Sequence, residues 1–530
     1  MMKNNETAKG RYDFLRSWRD QYLWVGRRAA ALTLPWIIKQ DDDDEHNHGI
    51  MIEPWQSSGA KGVNVLASKL MLALMPVQTS FFKLQLDEMK LNEVEGFNQQ
   101  MKSEIDQSFA KVERTINEMI AASDDRVVVH QALKHLVVTG NALVFMGKEK
   151  LKLYPLNRYV CNRDGLGNVI EIITKERLNK DVLEEQLGIT LPKEVSPQKT
   201  GDTKSEKNKE ASNPNDMVEL YTHIKRSGKY FNWHQEVNGK KLPKTEGRAP
   251  LETNPWIALR FNTVDGEAYG RGRVEEYIGD LRSLEALTQA IVEGSAAAAK
   301  VIFVVSPSST TKAQTLAAAG NGAIVQGRPD DIGVVQVGKG ADFATAQDMI
   351  QNLEKRISEA FLELNVRQSE RTTAEEVRMT QQELEQQLGG LFSLLTVDFL
   401  VPYLARKLAT LQKSNAIPKL PKELVRPTII AGLGSIGRGM DKEALTNYMT
   451  TIAQTMGPES IQTYVKPLEV IKRLAAAEGI DTLNLVKSEQ ELQGEQQQGQ
   501  QNQMDQAVAG QAGQLAKVGA DMQAQQQPPQ

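Results

Sequence analysis

Between residues 273 and 364 the chain lays down two apolar stripes of helical period around a run of strands and turns. Tyr277, Leu281, Leu284, Leu287 and Ile291 recur at steps of four, three, three and four residues. That is the spacing of one helix face, and it predicts a helix over 273–300. Ile350, Leu353, Ile357, Phe361 and Leu364 repeat the signal over 344–364. The segment between, 301–343, mixes β-branched runs with Gly and Pro and reads as a small module of short strands. Two long helices flanking such a module make a stalk with a tip. A lone stalk exposes its stripe, so the helices must pack on each other and on neighbouring copies. Head-to-tail contacts between copies close into rings.

The rest of the chain predicts a mixed α+β body, mostly helical. Leu15, Trp18, Tyr22 and Val25 mark a helix over 11–33, and the stretch ending at Pro76 a second one. Residues 125–146 read as a helix stopped by Gly140 and followed by a strand. Residues 151–174 suggest a hairpin around the turn "DGLGN", and "MVELYTHI" and "KYFNWHQEV" continue the β pattern. Residues 196–216 are polar and charged, a mobile insertion by composition. Thr373 and Glu376 form a capping box opening a helix that kinks at Gly389-Gly390 and at Pro402. Residues 486–530 are a Gln-rich low-complexity tail.

Several features that promise chemistry fail on context. Gly432, Gly434 and Gly437 spell G-x-G-x-x-G after the β-branched run Thr428–Ile430. A dinucleotide turn needs its helix to begin inside the motif, and an acidic strand end about 20 residues on. Here the helix is expected only from Asp441, and no βαβ repeat surrounds the motif. Gly333 to Lys339 fits G-x-x-x-x-G-K, but Gly340 stands where a P-loop needs Ser or Thr, and "VVQV" is a strand pattern. The run Asp41–His48 reads as a solvated acidic loop rather than a metal site, since consecutive residues cannot all converge on one ion. His130 and His135 are five apart and do not share a helix face as a zinc pair would, so both read as structural. Cys161 is the single cysteine, which excludes an intramolecular disulfide and a Cys-based zinc site within one chain. The N-terminus lacks the apolar core of a secretory signal, and the longest apolar run, Val63–Val77, carries Lys69 and Pro76 and is too short for a bilayer. A net charge of −4 gives no global sign of tight nucleic-acid binding.

Six segments in order carry a family likeness: Pro54–Thr79, Leu133–Phe145, Val264–Val292, Ala299–Pro307, Arg371–Leu395 and "GLGSIGRG", Gly432–Gly439. Together they resemble the portal, or head-to-tail connector, family of short-tailed podoviruses of the autographivirus type. The likeness runs from about residue 11 to 480. It implies a ring, usually a dodecamer, at one capsid vertex, with double-stranded DNA packed and later ejected through its channel. It further implies a wing at 1–272, stem helices at 273–300 and 344–364, a clip at 301–343, a tunnel loop at 365–372, a long kinked helix at 373–412 and a crown at 413–485. The implied partners are the terminase large subunit, tail adaptor and tail tube proteins, and the major capsid, scaffolding and internal core proteins. The implied location is the virion, after assembly in the host bacterial cytoplasm. No membrane, cofactor, metal or catalytic residue is implied.

Within that resemblance the site residues are positional expectations. Asn365, Arg367 and Arg371 in "NVRQSERT" fall on the tunnel loop, where the arginines would meet phosphates; Arg371 pairing locally with Glu370 or Glu375 is the alternative. Lys300, at the end of the first stem helix, is a weaker channel candidate. Arg328, Asp330 and Asp331 in "GRPDDIG" would dock the terminase on the clip; a plain type I turn there is compatible with that role. The first stem helix is acidic on balance, with Glu275, Glu276, Asp280, Glu285 and Glu293 against Arg273, Arg282 and Lys300. That suits a conduit that must not grip its cargo, and equally an ordinary solvated face. A helical scaffold without a channel and a nucleotide-binding enzyme are the competing readings.

Overall fold

The computed structural model describes residues 7–39, 52–76, 80–86, 99–147, 150–188, 217–298, most of 302–362, 390–417, 425–429 and 438–457, with isolated positions to 474. The chain divides into two compact units, Met1–Leu433 and Gly434–Gln530. The acidic run 41–48, the insertion 196–216, the capping box at Thr373 and the Gln-rich tail lie outside the described residues.

Helix α1 (Ala8–Ala31) starts behind Thr7, whose Oγ1 accepts the Gly10 N–H at 3.2 Å. Its buried stripe is Tyr12, Leu15, Arg19, Tyr22 and Leu23. This differs from the expected stripe: Trp18 stays 48% exposed, while Arg19 is 1% exposed. Burying a guanidinium costs several kcal/mol unless its donors are used. Here they bond Tyr12 Oη, the Asn157 carbonyl and Asp20, each at 2.9 Å.

Helix α2 (Ser58–Leu74) ends two residues before Pro76. Then come β1 (Phe82–Leu86), α3 (Gln99–Ala122) and α4 (Asp125–Thr139). Gly140 caps α4 at φ +74° and releases the chain directly into β2 (Asn141–Met146). β3 (Leu151–Tyr154) pairs with β2, and the 3₁₀ turn Leu156–Arg158 after Pro155 sends the chain into a different sheet. The expected hairpin is therefore shorter than its sequence pattern. It comprises β4 (Tyr159–Arg163) and β5 (Val169–Asn179), with Leu151–Tyr154 excluded. After α5 (Lys180–Leu187), strands β6 (Met217–Ser227), β7 (Tyr230–Val237), β8 (Lys240–Lys241) and β9 (Gly247–Pro250) extend this antiparallel sheet in the order β4-β5-β6-β7-β8, with β9 also on β7. β10 (Trp256–Arg260) returns to β2, giving a second sheet, β10-β2-β3.

Two buried carboxylates fasten the start of α1 to the larger sheet. Glu171 on β5 accepts from Arg11 (Nε 3.0 Å, Nη2 2.8 Å) and sits 2.7 Å from His223 Nε2. Glu236 on β7 accepts the Ala8 N–H at 2.6 Å and lies 2.8 Å from His234 Nε2. Burial pushes the Glu171 carboxyl up, but the His223 and Arg11 hydrogen bonds outweigh it and hold the group at about 2.

The chain then forms α6 (Arg273–Glu276), α7 (Ile278–Ala298), β11 (Ile302–Val305), α8 (Ala313–Ala318), β12 (Ile332–Val335) and α9 (Gly340–Ala360). Further on, a π-helical turn at Thr396–Leu400 runs into α10 (Val401–Lys413). The Val401 N–H reaches back five residues to the Thr396 carbonyl just before Pro402. A π turn therefore stands directly before Pro402, where the kink is expected; π turns and prolines are both places where helices bend. β13 (Val425–Ile429) pairs antiparallel with β1. The main core joins α2, α4, β2 and β10 with Leu281, Leu284, Leu353, Ile357 and Phe361 at the foot of the α7–α9 pair. In the second unit, α11 spans Arg438–Met456.

Candidate functional site

Helices α7 and α9 run antiparallel, joined through the β11–β12 ladder. Near the foot, one Arg356 nitrogen lies 2.8 Å from both Asp280 oxygens. Near the tip, a Cβ on Gly294 would sit 2.9 Å from Phe343 Cε1, so glycine permits the close approach there. Between these points Leu284 and Leu353 are buried, with Leu287 and Ile350 partly buried against the same core. Both stripes read from the sequence therefore face each other. The first helix is not continuous, however. Arg273–Glu276 is a separate turn, and the chain breaks at Tyr277 (φ −113°, ψ 15°), whose ring packs on Phe361 at 6.3 Å.

The body grips the foot of the pair at both chain ends. Entering, Gly270–Gly272 dock against the Thr139–Asn141 corner. Asn141 Nδ2 donates to the Gly270 carbonyl at 2.8 Å, and its Oδ1 accepts the Gly270 N–H at 2.8 Å. A Cβ on Gly140 would lie 2.4 Å from Arg271 C and 2.5 Å from Gly272 N. Leaving, Ala360–Leu362 lie against α2. A Cβ on Gly62 would lie 2.6 Å from Phe361 Cγ. Arg273 donates to the Ala360 carbonyl (Nε 3.3 Å, Nη2 3.2 Å), and Lys69 Nζ donates to the Leu362 carbonyl. Cations on the last carbonyls suit a helix C-terminus. Leu362 itself has φ +58°, an αL residue that turns the chain out of the helix. Asn365, Arg367 and Arg371 follow it and lie outside the described residues.

The acidity of residues 273–298 changes meaning once partners are visible. Glu275 meets Arg271 at 2.7 Å, and Glu276 meets Arg273 at 2.6 Å. Asp280 holds Arg356, and Glu285 accepts the backbone N–H groups of Trp55 (2.8 Å) and Gln56 (3.3 Å). Glu293 accepts from Gln289 at 2.9 Å. Each of these five acids has a partner; Glu275, Glu276 and Asp280 face cations, while Glu285 and Glu293 meet neutral amides and keep their charge.

At the tip, β11 and β12 pair with Ile302 opposite Val335 and Val304 opposite Gly333. The P-loop lookalike is therefore strand at Gly333, Val334 and Val335. Arg328 is exposed; Lys300, Asp330 and Asp331 lie outside the described residues. The three-glycine motif of residues 432–437 also lies outside them, but its flanks are clear. β13 before it belongs to an antiparallel pair, not a parallel sheet, and α11 begins at Arg438, three residues earlier than expected. Among the described residues every strand pair is antiparallel, which removes the dinucleotide reading.

His135 is buried, and burial lowers its pKa to about 4, so it stays neutral. His130 lies 3.3 Å from Ser68 Oγ. Among the described residues no group of three or more His, Cys, Asp or Glu is placed to hold a metal ion. Nor is any described helix long and apolar enough to cross a membrane. An open cleft of about 760 Å³ lies between α1, the β4–β5 turn and residues 263–269. Its floor residue Arg163 spends its donors on the carbonyls of Ala268, Gly167 and Ala258 at 2.8–3.0 Å, which makes it a brace. Sequence reasoning missed Gly62, Lys69, Gly140, Asn141 and Arg273 as the residues that seat the helical pair. The only signal was the presence of all five within the segments that carried the family likeness.

Residues 5–486 match the family model described as bacteriophage head to tail connecting protein. The chain is 36% identical to the portal protein of Escherichia phage T7 over 502 residues, covering 92% of this chain and 89% of that one. It is 37% identical to the portal protein of Enterobacteria phage T3 over 501 residues, with the same coverage. A solved structure described as the neck of an empty GTA particle covers 81% of this chain and 91% of its own at 10% identity, with a TM-score of 0.37.

Proposed function

This chain belongs to the bacteriophage head-to-tail connecting protein family, and from that premise we propose that it forms a closed ring that conducts double-stranded DNA into and out of the capsid. The observation that carries this reading is the antiparallel α7–α9 pair, seated in the body at both ends and closed by a strand ladder at the tip. Such a pair, repeated around an axis, lines a channel with helices. Residues 1–272 form the wing, 273–300 and 344–364 the stem, 301–343 the clip, 365–372 the tunnel loop, 373–412 the kinked helix and 413–485 the crown. The chain is a part of the virion at the head–tail junction, assembled in the host bacterial cytoplasm, and the ring is a dodecamer.

The channel must hold DNA loosely. A duplex carries one charge per ~1.7 Å, and every phosphate neutralised strengthens the grip. The acids that α7 keeps uncompensated, Glu285 and Glu293, suit sliding. Arg367 and Arg371, just past the αL exit at Leu362, supply localised rings that retain packaged DNA. The chain has no chemistry of its own to drive transport. A terminase motor docked on the clip through Arg328, Asp330 and Asp331 supplies the energy, and tail adaptor and tail tube proteins later take that place. Capsid, scaffolding and internal core proteins complete the surroundings.

Negative-stain microscopy of the purified protein is expected to show rings with a central hole. Compact monomers, or filaments without a hole, would end this reading. The gate has its own test. Particles assembled with Arg367→Ala and Arg371→Ala together are expected to yield mostly emptied heads on sedimentation. Wild-type proportions of filled heads would show that the arginines pair locally instead.

A further inference from the structure

The larger sheet carries a cationic row that none of the roles above uses. Lys225 on β6 stands opposite Asn232 on β7, and Asn232 stands opposite Arg248 on β9. Residues directly opposite in a ladder share a face. Lys225, Asn232 and Arg248 therefore form one line across three strands, each step about 4.8 Å. The β6–β7 turn beside that line adds Lys229, and all three cations are exposed; Arg226, opposite the buried Phe231, lies on the other face. Arg248 is held in place over the Tyr230 ring, 3.6 Å from its centroid.

Lys225, Lys229 and Arg248 make no ion pair with a described carboxylate. Glu171, on the strand beside Lys225, is committed to Arg11 and His223. Arg226, on the other face, acts on the exposed Asp164 and lowers its pKa. Lys225, Lys229 and Arg248 thus concentrate positive charge on one face of a chain of net charge −4.

From this row we infer a second DNA contact, on the wing sheet and separate from the stem helices, that binds the phosphate backbone without reading sequence. It rests on the DNA-conducting reading above. The residue types are those that bond phosphates: Lys, Arg, Asn and Tyr. A protein partner would need an apolar anchor at the centre of the patch. Here Tyr230, 38% exposed and already stacked under Arg248, is the one large apolar side chain in the row. The row therefore suits a polyanion better than an acidic protein surface.

A covalently closed DNA circle tests this, because it cannot thread a channel. Purified rings are mixed with fluorescent plasmid circles at 50–200 mM salt. Wild-type rings are expected to bind, and to weaken by about 40-fold over that range for three phosphate contacts. Replacing Lys225, Lys229 and Arg248 with Ser is expected to abolish circle binding while ring images stay unchanged. Lys225→Gln with Arg248→Gln gives a milder variant, expected to cut the salt slope to about a third, should the triple change harm folding. Circle binding that is absent in wild type, or equal in the variants, overturns the inference. If rings form and the variants bind circles normally but fail to enter particles, the row docks an acidic protein and the DNA contact is wrong. Failure to form rings at all refutes the conduit reading instead.

Discussion

Gly140→Ala is expected to destabilise the first unit by about 3–5 kcal/mol, enough to remove most soluble protein. Two costs combine. Gly140 sits at φ +74°, a conformation that costs an L-residue roughly 1–2 kcal/mol. Its new Cβ would also lie 2.4 Å from Arg271 C, 2.5 Å from Gly272 N and 2.6 Å from the Gly270 oxygen. These are backbone atoms, and they cannot swing aside as the end of a side chain can, so the Gly270–Gly272 segment must lift off the corner. That segment leads into α6 and α7, and the damage should reach the seating of the α7–α9 pair. Gly188→Ala is the control: φ is +60° there, but nothing lies within 4 Å of the added Cβ. Pulse proteolysis of both variants measures the difference. Equal losses would mean that the close approach at Gly140 costs nothing.

Asp125→Ala is expected to cost about 3–5 kcal/mol by removing the anion from a buried cluster. Asp125, at the first turn of α4, is 1% exposed. Its Oδ2 accepts from Tyr403 Oη at 2.6 Å and from Lys407 Nζ at 2.6 Å, both on α10. Burial, and after it the Asp125 charge, pushes the Tyr403 hydroxyl well above the usual tyrosine range, so it remains a donor at all working pH values. Without Asp125 the Lys407 ammonium, 21% exposed, loses its counter-ion, and the Tyr403 hydroxyl loses its acceptor. Asp125→Asn keeps an acceptor and should cost about half as much. Adding Lys407→Met to Asp125→Ala should restore part of the loss, since the unpaired charge is then gone. Strict additivity of the two single effects in urea unfolding would show that Asp125 does not hold α10 onto α4.

Much of the fold was legible because its signals are local. The stripes at Tyr277–Ile291 and Ile350–Phe361 are periodic, and period alone marks a helix face. Gly140 and Pro76 stop their helices for reasons that lie within a residue or two. The P-loop lookalike could be dismissed from "VVQV" and Gly340, and β12 agrees with that reading at Val334 and Val335. What failed was partner assignment. Trp18 and Arg19 are neighbours in sequence, and hydrophobicity favours burying the tryptophan. Arg19 is buried because Asn157, far along the chain, offers it a carbonyl. The acidity of α7 gives no sign that Glu285 accepts the Trp55 and Gln56 amides, about 230 positions away.

The sequence by itself determined the type and order of the main elements, the stalk-and-tip layout and the lack of context for nucleotide chemistry at the two glycine motifs. These follow from spacing, turn chemistry and motif grammar, all of which operate over a few residues. Only the tertiary structure decided that α7 and α9 meet with Asp280 on Arg356, that Gly62 and Gly140 must lack a side chain, and that Lys225, Asn232 and Arg248 fall into one line. Each of those depends on groups brought together from distant parts of the chain. Hydrophobic period fixes which face turns inward, but register, close approach and charge pairing are set by what happens to lie opposite.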